Sequence, residues 1–304
     1  MTVSRQHCSL RIARARLRES IAYTVSTLRM HIQKNAPQFI GIGGKGTGLA
    51  LVTQLLDVHP QVHSPIPSLR FFSTSDYLQK DLSEYVKALC LQPAPAVCGE
   101  SCPEYLTTSG VAERIAETYP DAKLFAIVRN PLDRAISEYQ HALKKGLIKK
   151  TVSCAQYLTN HSTAQTDGFY GKHLTRFFTI YTSLQLYVMV YEDFAQEPLK
   201  EMQKLYDFLE LDREFVPKRL LSYAPPPDEP KHRGRISRLI KFVVTRIKKL
   251  HPKKLFGPIV PAAPQHAQFL SASELDIFKK TFAADAAQLS NLLHRDMVVE
   301  WDLK

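Results

Sequence analysis

The sequence predicts an α/β protein: one domain on a central, mostly parallel sheet of four or five strands, with helices on both faces. Three observations predict it. Short, continuously apolar segments alternate with stretches of helical periodicity, the pattern of strands buried on two sides. The first apolar segment runs straight into a glycine-rich turn and then a helix, within residues 39–58. The chain has 304 residues, 44% hydrophobic and 23% charged, which is enough to bury a full core and excludes a disordered chain.

Phe39-Ile40-Gly41-Ile42 reads as the first strand. Glycines stand at 43, 44, 46 and 48, and Leu49, Leu51, Val52, Leu55, Leu56 and Val58 then recur at helical spacing. His59-Pro60 closes this helix, because proline disfavours helical geometry in the residue before it. Residues 61–75 are polar and broken by prolines and read as a loop, and 82–90 reads as a helix. Residues 96–99 form a short strand, 111–118 a helix, and 123–128 (Lys-Leu-Phe-Ala-Ile-Val) a buried strand. Asn130 then caps a helix with its side chain, and Pro131 occupies the first helical position, where an N–H is not needed. The pattern weakens from 150 to 167 and returns as a helix near 172–181. Leu186 to Val190 is a further buried strand, 198–209 a helix and 273–293 the last helix.

The formal charge of +11 suggests a polyanion as partner, but its distribution argues against nucleic acid. A basic N-terminal arm, residues 1–36, carries +6, and residues 231–254 carry +10, which leaves the rest of the chain at −5. The organisation is therefore that arm, then a domain from 37 to 304 with a basic insertion at about 223–265, bounded by proline-rich stretches. The arm is Arg-rich and nearly free of acids, as an organelle transit peptide is, and equally fits an exposed basic helix. No run of 18 apolar residues and no secretory apolar core is found, so a cytoplasmic setting is expected. Five scattered cysteines suit a reducing compartment, and the close pair Cys98 and Cys102 has no histidine cluster to make a zinc site.

Two segments carry chemistry. The turn from Gly41 to Gly48 is a candidate phosphate cradle, since backbone amides at a helix N-terminus offer unpaired donors and Lys45 adds a point charge. It is not a Walker A motif, because Gly46 follows Lys45 where Ser or Thr is required. The strand ending at Val128 leads into Arg129, not into a magnesium-holding aspartate. The segment from Arg129 to Tyr139 places a guanidinium at the carboxyl end of a buried strand, where open α/β sheets bind ligands. Ser137 lies two turns along the next helix, about 10 Å from the cap at ~1.5 Å per residue, and Arg129 and Ser137 are expected to bracket a phosphate.

A lysine-bearing glycine turn after the first strand, followed by Arg-Asn-Pro-x-x-Arg-x-x-Ser-x-Tyr after a later one, resembles the sulfotransferases that use 3'-phosphoadenosine 5'-phosphosulfate. His59-Pro60, Phe71-Phe72, the Gly99 to Tyr105 segment, Gly168-x-Tyr170, Val190 to Asp193, Phe208-Leu209 and Trp301 fall in the same order as in that family. The layout is most like the heparan sulfate and related carbohydrate enzymes, over roughly residues 38–222 and 268–304. The resemblance implies a P-loop-like three-layer fold and a sulfate-donor nucleotide as co-substrate, with no metal. It places Gly43, Gly44, Lys45, Gly46, Thr47 and Gly48 on the phosphosulfate, Arg129 and Ser137 on the 3'-phosphate, and Tyr170 at the nucleotide. The implied acceptor is a hydroxyl, on a glycan.

Departures bear on catalysis. Relatives usually read Lys-x-Gly-Thr in the first motif, whereas here Thr47 and Gly48 stand in exchanged order. Ser68 occupies the position of the carbohydrate enzymes' basic glutamate, and Ser101 that of a common lysine. Sulfuryl transfer needs a base for the acceptor's proton and cations for the charge on the transferring group. Lys45 and Arg129 supply cations. Glu100 is the first candidate base and His63 the second; Ser68, at the catalytic position, lacks basicity by itself, and Arg70 would bind the acceptor. A non-catalytic nucleotide- or glycan-binding relative and a magnesium-dependent P-loop phosphotransferase are the rival readings. Within 235–250 an apolar stripe and Lys/Arg residues fall at helical spacing, which fits peripheral contact with an anionic membrane, a docking face for an acidic acceptor, or a solvated face.

Overall fold

The computed structural model describes residues 37–65, 67–89, 97–221 and 266–304. The basic arm and the basic insertion, with its expected membrane or acceptor contact, lie outside the described residues. Five strands form one sheet: β1 Phe39–Gly41, β2 Val62–His63, β3 Val97–Ser101, β4 Lys123–Val128 and β5 Leu186–Val190. Their order is β2-β3-β1-β4-β5, with every pairing parallel. Parallel neighbours require crossovers, and helices occupy them. These are α1 Leu49–Asp57, α2 Leu82–Leu89, α3 Val111–Thr118, α4 Pro131–Lys144, α5 Cys154–Asn160, α6 Ser162–Thr166 and α7 Tyr170–Ile180. After β5 come α8 Tyr191–Gln196, α9 Pro198–Leu209, α10 Lys218–Leu221, α11 Ala272–Leu293 and α12 Met297–Glu300.

Strand periodicity sorts the central apolar run between two cores. Leu124, Ala126 and Val128 of β4 join Ile40 and the side chains of α3, α4, α7 and α11. Phe125 and Ile127 turn the other way, with Phe39, onto α1 and α9. The local chemistry behaves as its residues predict: the Asn130 side chain accepts from Leu132 N at 3.0 Å and Asp133 N at 3.3 Å and so caps α4.

The structure departs from the sequence reading where elements are short or polar. β3 runs two residues further than expected, so Glu100 and Ser101 lie in the strand and pair with Ile40 and Gly41. Polar residues there gave no apolar signal. His63 is in a strand, not a loop, because β2 pairs it with Cys98. The weak stretch before 167 holds α5 and α6; α5 opens on a Ser153–Gln156 capping box yet buries only three side chains, too few for a visible period. The helix expected near 172 begins at Tyr170, its Gly171 and Lys172 N–H groups bonded at 2.8 Å to Asp285 of α11, a partner more than a hundred residues away.

Candidate active site

Because the strands are parallel, their carboxyl ends meet at one edge of the sheet. β1 delivers the glycine turn, β3 delivers Ser101 to Glu104, β4 delivers Arg129, and β5 delivers Glu192. The order reverses about β1, with β3 on one side of it and β4 on the other, which makes the glycine turn the switch point of the sheet.

The turn is built by contacts that only glycine permits. A Cβ on Gly43 would stand 2.5 Å from the Ile127 nitrogen of β4. Gly48 takes φ 97° at the start of α1 and lies against the Tyr191 ring, and it leaves the first turn of α1 without a side-chain cap. Thr47 is fully buried and donates to the Gly44 carbonyl at 2.7 Å, so its hydroxyl locks the turn itself. The backbone donors that open α1 are the groups an anion requires. Tyr170, buried, packs its ring beside Gly44.

Arg129 is 4% exposed, and its Nη1 donates to the Gly46 carbonyl at 3.2 Å. Its guanidinium lies 4.7 Å from the Tyr191 ring centre, and its buried Nε has no hydrogen-bond partner among the described residues. The structure thus joins Arg129 to the glycine turn. It does not join Arg129 to Ser137, which is half-buried on α4 with no hydrogen bond linking the two. Arg134, absent from the sequence candidates, is fully buried under the turn: it pairs with Glu138 at 2.7 Å, donates to the Ala164 carbonyl, and its Cγ lies against Gly46.

Behind Arg129 is a closed hydrogen-bond circuit. Asn130 N donates to Glu192 at 2.9 Å, Trp301 Nε1 donates to Glu192 at 3.1 Å, and Asn130 Nδ2 donates to the Trp301 carbonyl at 3.0 Å. Burial raises the Glu192 carboxyl above its usual range, and the hydrogen bond from Asn130 N works against that.

On the other side of the turn is a cleft of about 370 Å³, lined in part by Lys45, Gly48, Thr53, Ser68, Ser101 and Pro103. Ser68 donates to Glu100 at 3.1 Å, and the Ser101 hydroxyl is buried without a partner among the described residues. Glu100 departs from its expected role. Its two oxygens offer about four lone-pair sites, and five donors address them. Tyr85 at 3.0 Å and Tyr105 bond to Oε1; Ser68 at 3.1 Å, Leu69 N at 3.0 Å and Arg70 N at 3.3 Å bond to Oε2. A fully buried, saturated carboxylate organises the loop at 68–70 and has no lone pair for an acceptor's proton. Burial raises its carboxyl above the usual range, with the Tyr105 and Tyr85 hydroxyls opposing. His63 is half-buried within β2 and takes no part in lining this cleft.

Arg70 adopts φ 55°, ψ 30°, a left-handed conformation, and its Nη2 lies 3.4 Å from Glu104 Oε1. The same oxygen is 4.0 Å from Lys45 Nζ. Glu104 went unnoticed in the sequence, where nothing in its spacing marks it.

A doubly covered parallel sheet with an anion-receptive glycine turn at its switch point is an α/β fold of the P-loop-like class. More narrowly, the chain belongs to the sulfotransferase family: the family described as Sulfotransferase domain matches residues 37–224. Human heparan sulfate glucosamine 3-O-sulfotransferase 5 is 29% identical over 196 residues, 60% of this chain and 56% of that one. Mouse heparan sulfate glucosamine 3-O-sulfotransferase 3A1 is 30% identical, covering 62% of this chain and 50% of the relative. The chain thus spans about half the length of these curated relatives. A sulfotransferase from Alicyclobacillus acidocaldarius shares the fold, with a TM-score of 0.64 at 21% identity over 88% of this chain and 99% of that one. The sulfotransferase domain of the curacin biosynthetic pathway aligns at 0.52 and 16% identity, over 86% and 98%.

Proposed function

We propose that this protein transfers a sulfuryl group from 3'-phosphoadenosine 5'-phosphosulfate to a hydroxyl, and that the acceptor is a carbohydrate. The observation that carries the reading is the junction of Arg129 with the Lys45-bearing turn. Two cations and the open backbone donors of α1 converge at one sheet edge, and a buried guanidinium Nε there is without a partner among the described residues. A nucleotide with phosphates at both ends fits such a pair of sites. Lys45 and the turn would hold the phosphosulfate end, and Arg129 the 3'-phosphate. The carbohydrate acceptor rests on the heparan sulfate relatives.

The phosphotransferase reading loses ground because Arg129 stands where a magnesium-holding carboxylate would follow β4. Ser68 and Ser101 favour the non-catalytic reading, since neither can act as base or cation in the cleft. The test is transfer of ³⁵S-labelled sulfate from the nucleotide donor to desulfated heparan sulfate chains by the full-length protein. Label in the polysaccharide is the expected result. A protein stabilised by adenosine 3',5'-bisphosphate that transfers no label to polysaccharide or water is the non-catalytic relative.

A further inference from the structure

The site holds two carboxylates in different conditions. Glu100 is fully buried and saturated by five donors. Glu104, three residues beyond β3, keeps a side chain that is 22% exposed. Its Oε1 meets only the ends of two long, half-exposed side chains among the described residues, Lys45 at 4.0 Å and Arg70 at 3.4 Å, which are 52% and 58% exposed. Its Oε2 accepts the Cys102 thiol at 3.2 Å. Ser101 and Pro103, just before it in the chain, line the cleft with Lys45 and Ser68.

We propose that Glu104 is the general base of this site, with Arg70 orienting it and Lys45 holding the departing phosphate; the inference rests on the sulfuryl-transfer reading above. The acceptor O–H bond breaks and its proton passes to Glu104 Oε1. The acceptor oxygen forms the new bond to sulfur. The bond between sulfur and the bridging oxygen breaks, and its electron pair leaves on adenosine 3',5'-bisphosphate, whose charge Lys45 neutralises. No further reactant is needed, and solvent later takes the proton.

Three physical features support this assignment. A base needs an unoccupied lone pair: Oε1 of Glu104, next in the chain to Pro103 of the cleft wall, meets only Arg70 at 3.4 Å and Lys45 at 4.0 Å among the described residues, whereas both oxygens of Glu100 are taken. Lys45, the cation expected on the phosphosulfate, lies 4.0 Å from Glu104 Oε1, so the carboxylate stands beside the group that would hold the donor. Cys102 cannot compete as a base: burial pushes its thiol up to about 12, and it remains a donor that fixes Oε2. Glu100 is then a positioning residue, because its bonds to the Leu69 and Arg70 nitrogens hold the left-handed turn that carries Arg70 to Glu104. The wall formed by β3 thereby supplies the carboxylate that Ser68 lacks.

The experiment measures ³⁵S-sulfate release to water and to desulfated heparan sulfate by the full-length protein, its Glu104→Gln and its Glu104→Asp variants. Each is also melted with and without adenosine 3',5'-bisphosphate. Glu104→Gln is expected to lower kcat by about 10²–10⁴-fold, to leave KM for the donor within about threefold, and to lose the acid limb of the pH–rate profile. Glu104→Asp is expected to recover part of the rate, and the bisphosphate to stabilise all three proteins. A Glu104→Gln rate within threefold of wild type with the acid limb intact would overturn the proposal. So would a wild-type protein that the bisphosphate stabilises but that releases sulfate no faster than buffer, since a poised carboxylate also activates water. Failure of the wild type to respond to the bisphosphate at all would instead remove the functional reading beneath it.

Discussion

Arg129 Nη1 donates to the Gly46 carbonyl at 3.2 Å, and this bond ties the end of β4 to the turn that follows β1. The Tyr191 ring completes the junction, lying 4.7 Å from the guanidinium and directly against Gly48. One side chain and one turn, 83 positions apart, form a single cationic corner.

Arg129→Ala is expected to erase discrimination between adenosine 3',5'-bisphosphate and 5'-AMP. Wild type should show the larger thermal shift with the bisphosphate, and the variant equal shifts with both. Loss of a charge-assisted contact of about 1.5–3 kcal/mol weakens binding by roughly 10–100-fold. Arg129→Lys keeps the charge without the planar fork and should recover only part. Scanning fluorimetry of the three proteins decides it; an unaffected alanine variant would remove the 3'-phosphate site.

Glu100→Gln is expected to destabilise the protein by about 1–3 kcal/mol, since an amide NH₂ in place of Oε2 would face the Leu69 and Arg70 N–H donors, and in place of Oε1 would displace the Tyr85 and Tyr105 donations. The pH dependence should change too. With its carboxyl raised by burial, the folded state holds this proton more tightly than the unfolded chain, so stability falls as pH rises. That fall begins near the ordinary glutamate value of 4.5 and ends above the raised folded value. Urea unfolding across weakly acidic pH should show a shallower decline in the variant.

Gly43→Ala should destabilise more than Gly146→Ala, although of the two Gly146 is the one with positive φ, at 68°. At Gly43 the new Cβ meets the β4 backbone at 2.5 Å, where neither partner can shift alone, for about 1–3 kcal/mol. At Gly146 it meets nothing within 4 Å and bears only the backbone strain, about 1–2 kcal/mol. Thermal melts separate the two at about 2–4 °C per kcal/mol. The reverse ranking would mean that the turn and β4 are less tightly packed than described.

Trp301 is the only tryptophan in the chain, so its fluorescence reports the docking of the C-terminal segment on Glu192 and Asn130. Trp301→Phe removes the bond to Glu192 but keeps an aromatic ring against Tyr170, and should destabilise by about 1–3 kcal/mol. Trp301→Ala should reach about 3–5 kcal/mol. In wild type, unfolding followed by fluorescence and by circular dichroism should coincide; an earlier fluorescence transition would show that the segment melts on its own.

Much of the fold was legible because its signals are local. β4, β5, α1, α3, α4 and α9 are contiguous runs with their own periods, caps and stops, and Asn130-Pro131 announces α4 within two residues. β2, α6 and α8 are too short to show a period, and α5 buries too little to reveal one. The position of the glycine turn and of Arg129 at one sheet edge was legible for the same reason: Lys45 lies in a continuous glycine turn, and Arg129 directly follows a buried strand.

The arrangement around the end of β3 was not. Glu100 and Glu104 are four positions apart and chemically alike in the sequence, and segment resemblance points to Glu100 as the base. Folding separates them. Pairing of β3 with β1 inserts Glu100 into the sheet, where Ser68, 32 positions away, and two tyrosines saturate it. Glu104, past the strand end, meets Lys45 and Arg70 instead. Residue order is sufficient for the strands, the helix caps and the cationic turn, whose partners lie within a few positions. Which carboxylate is spent on structure and which remains available is settled by burial and by competition among donors from distant segments, quantities that exist only once the chain has closed on itself.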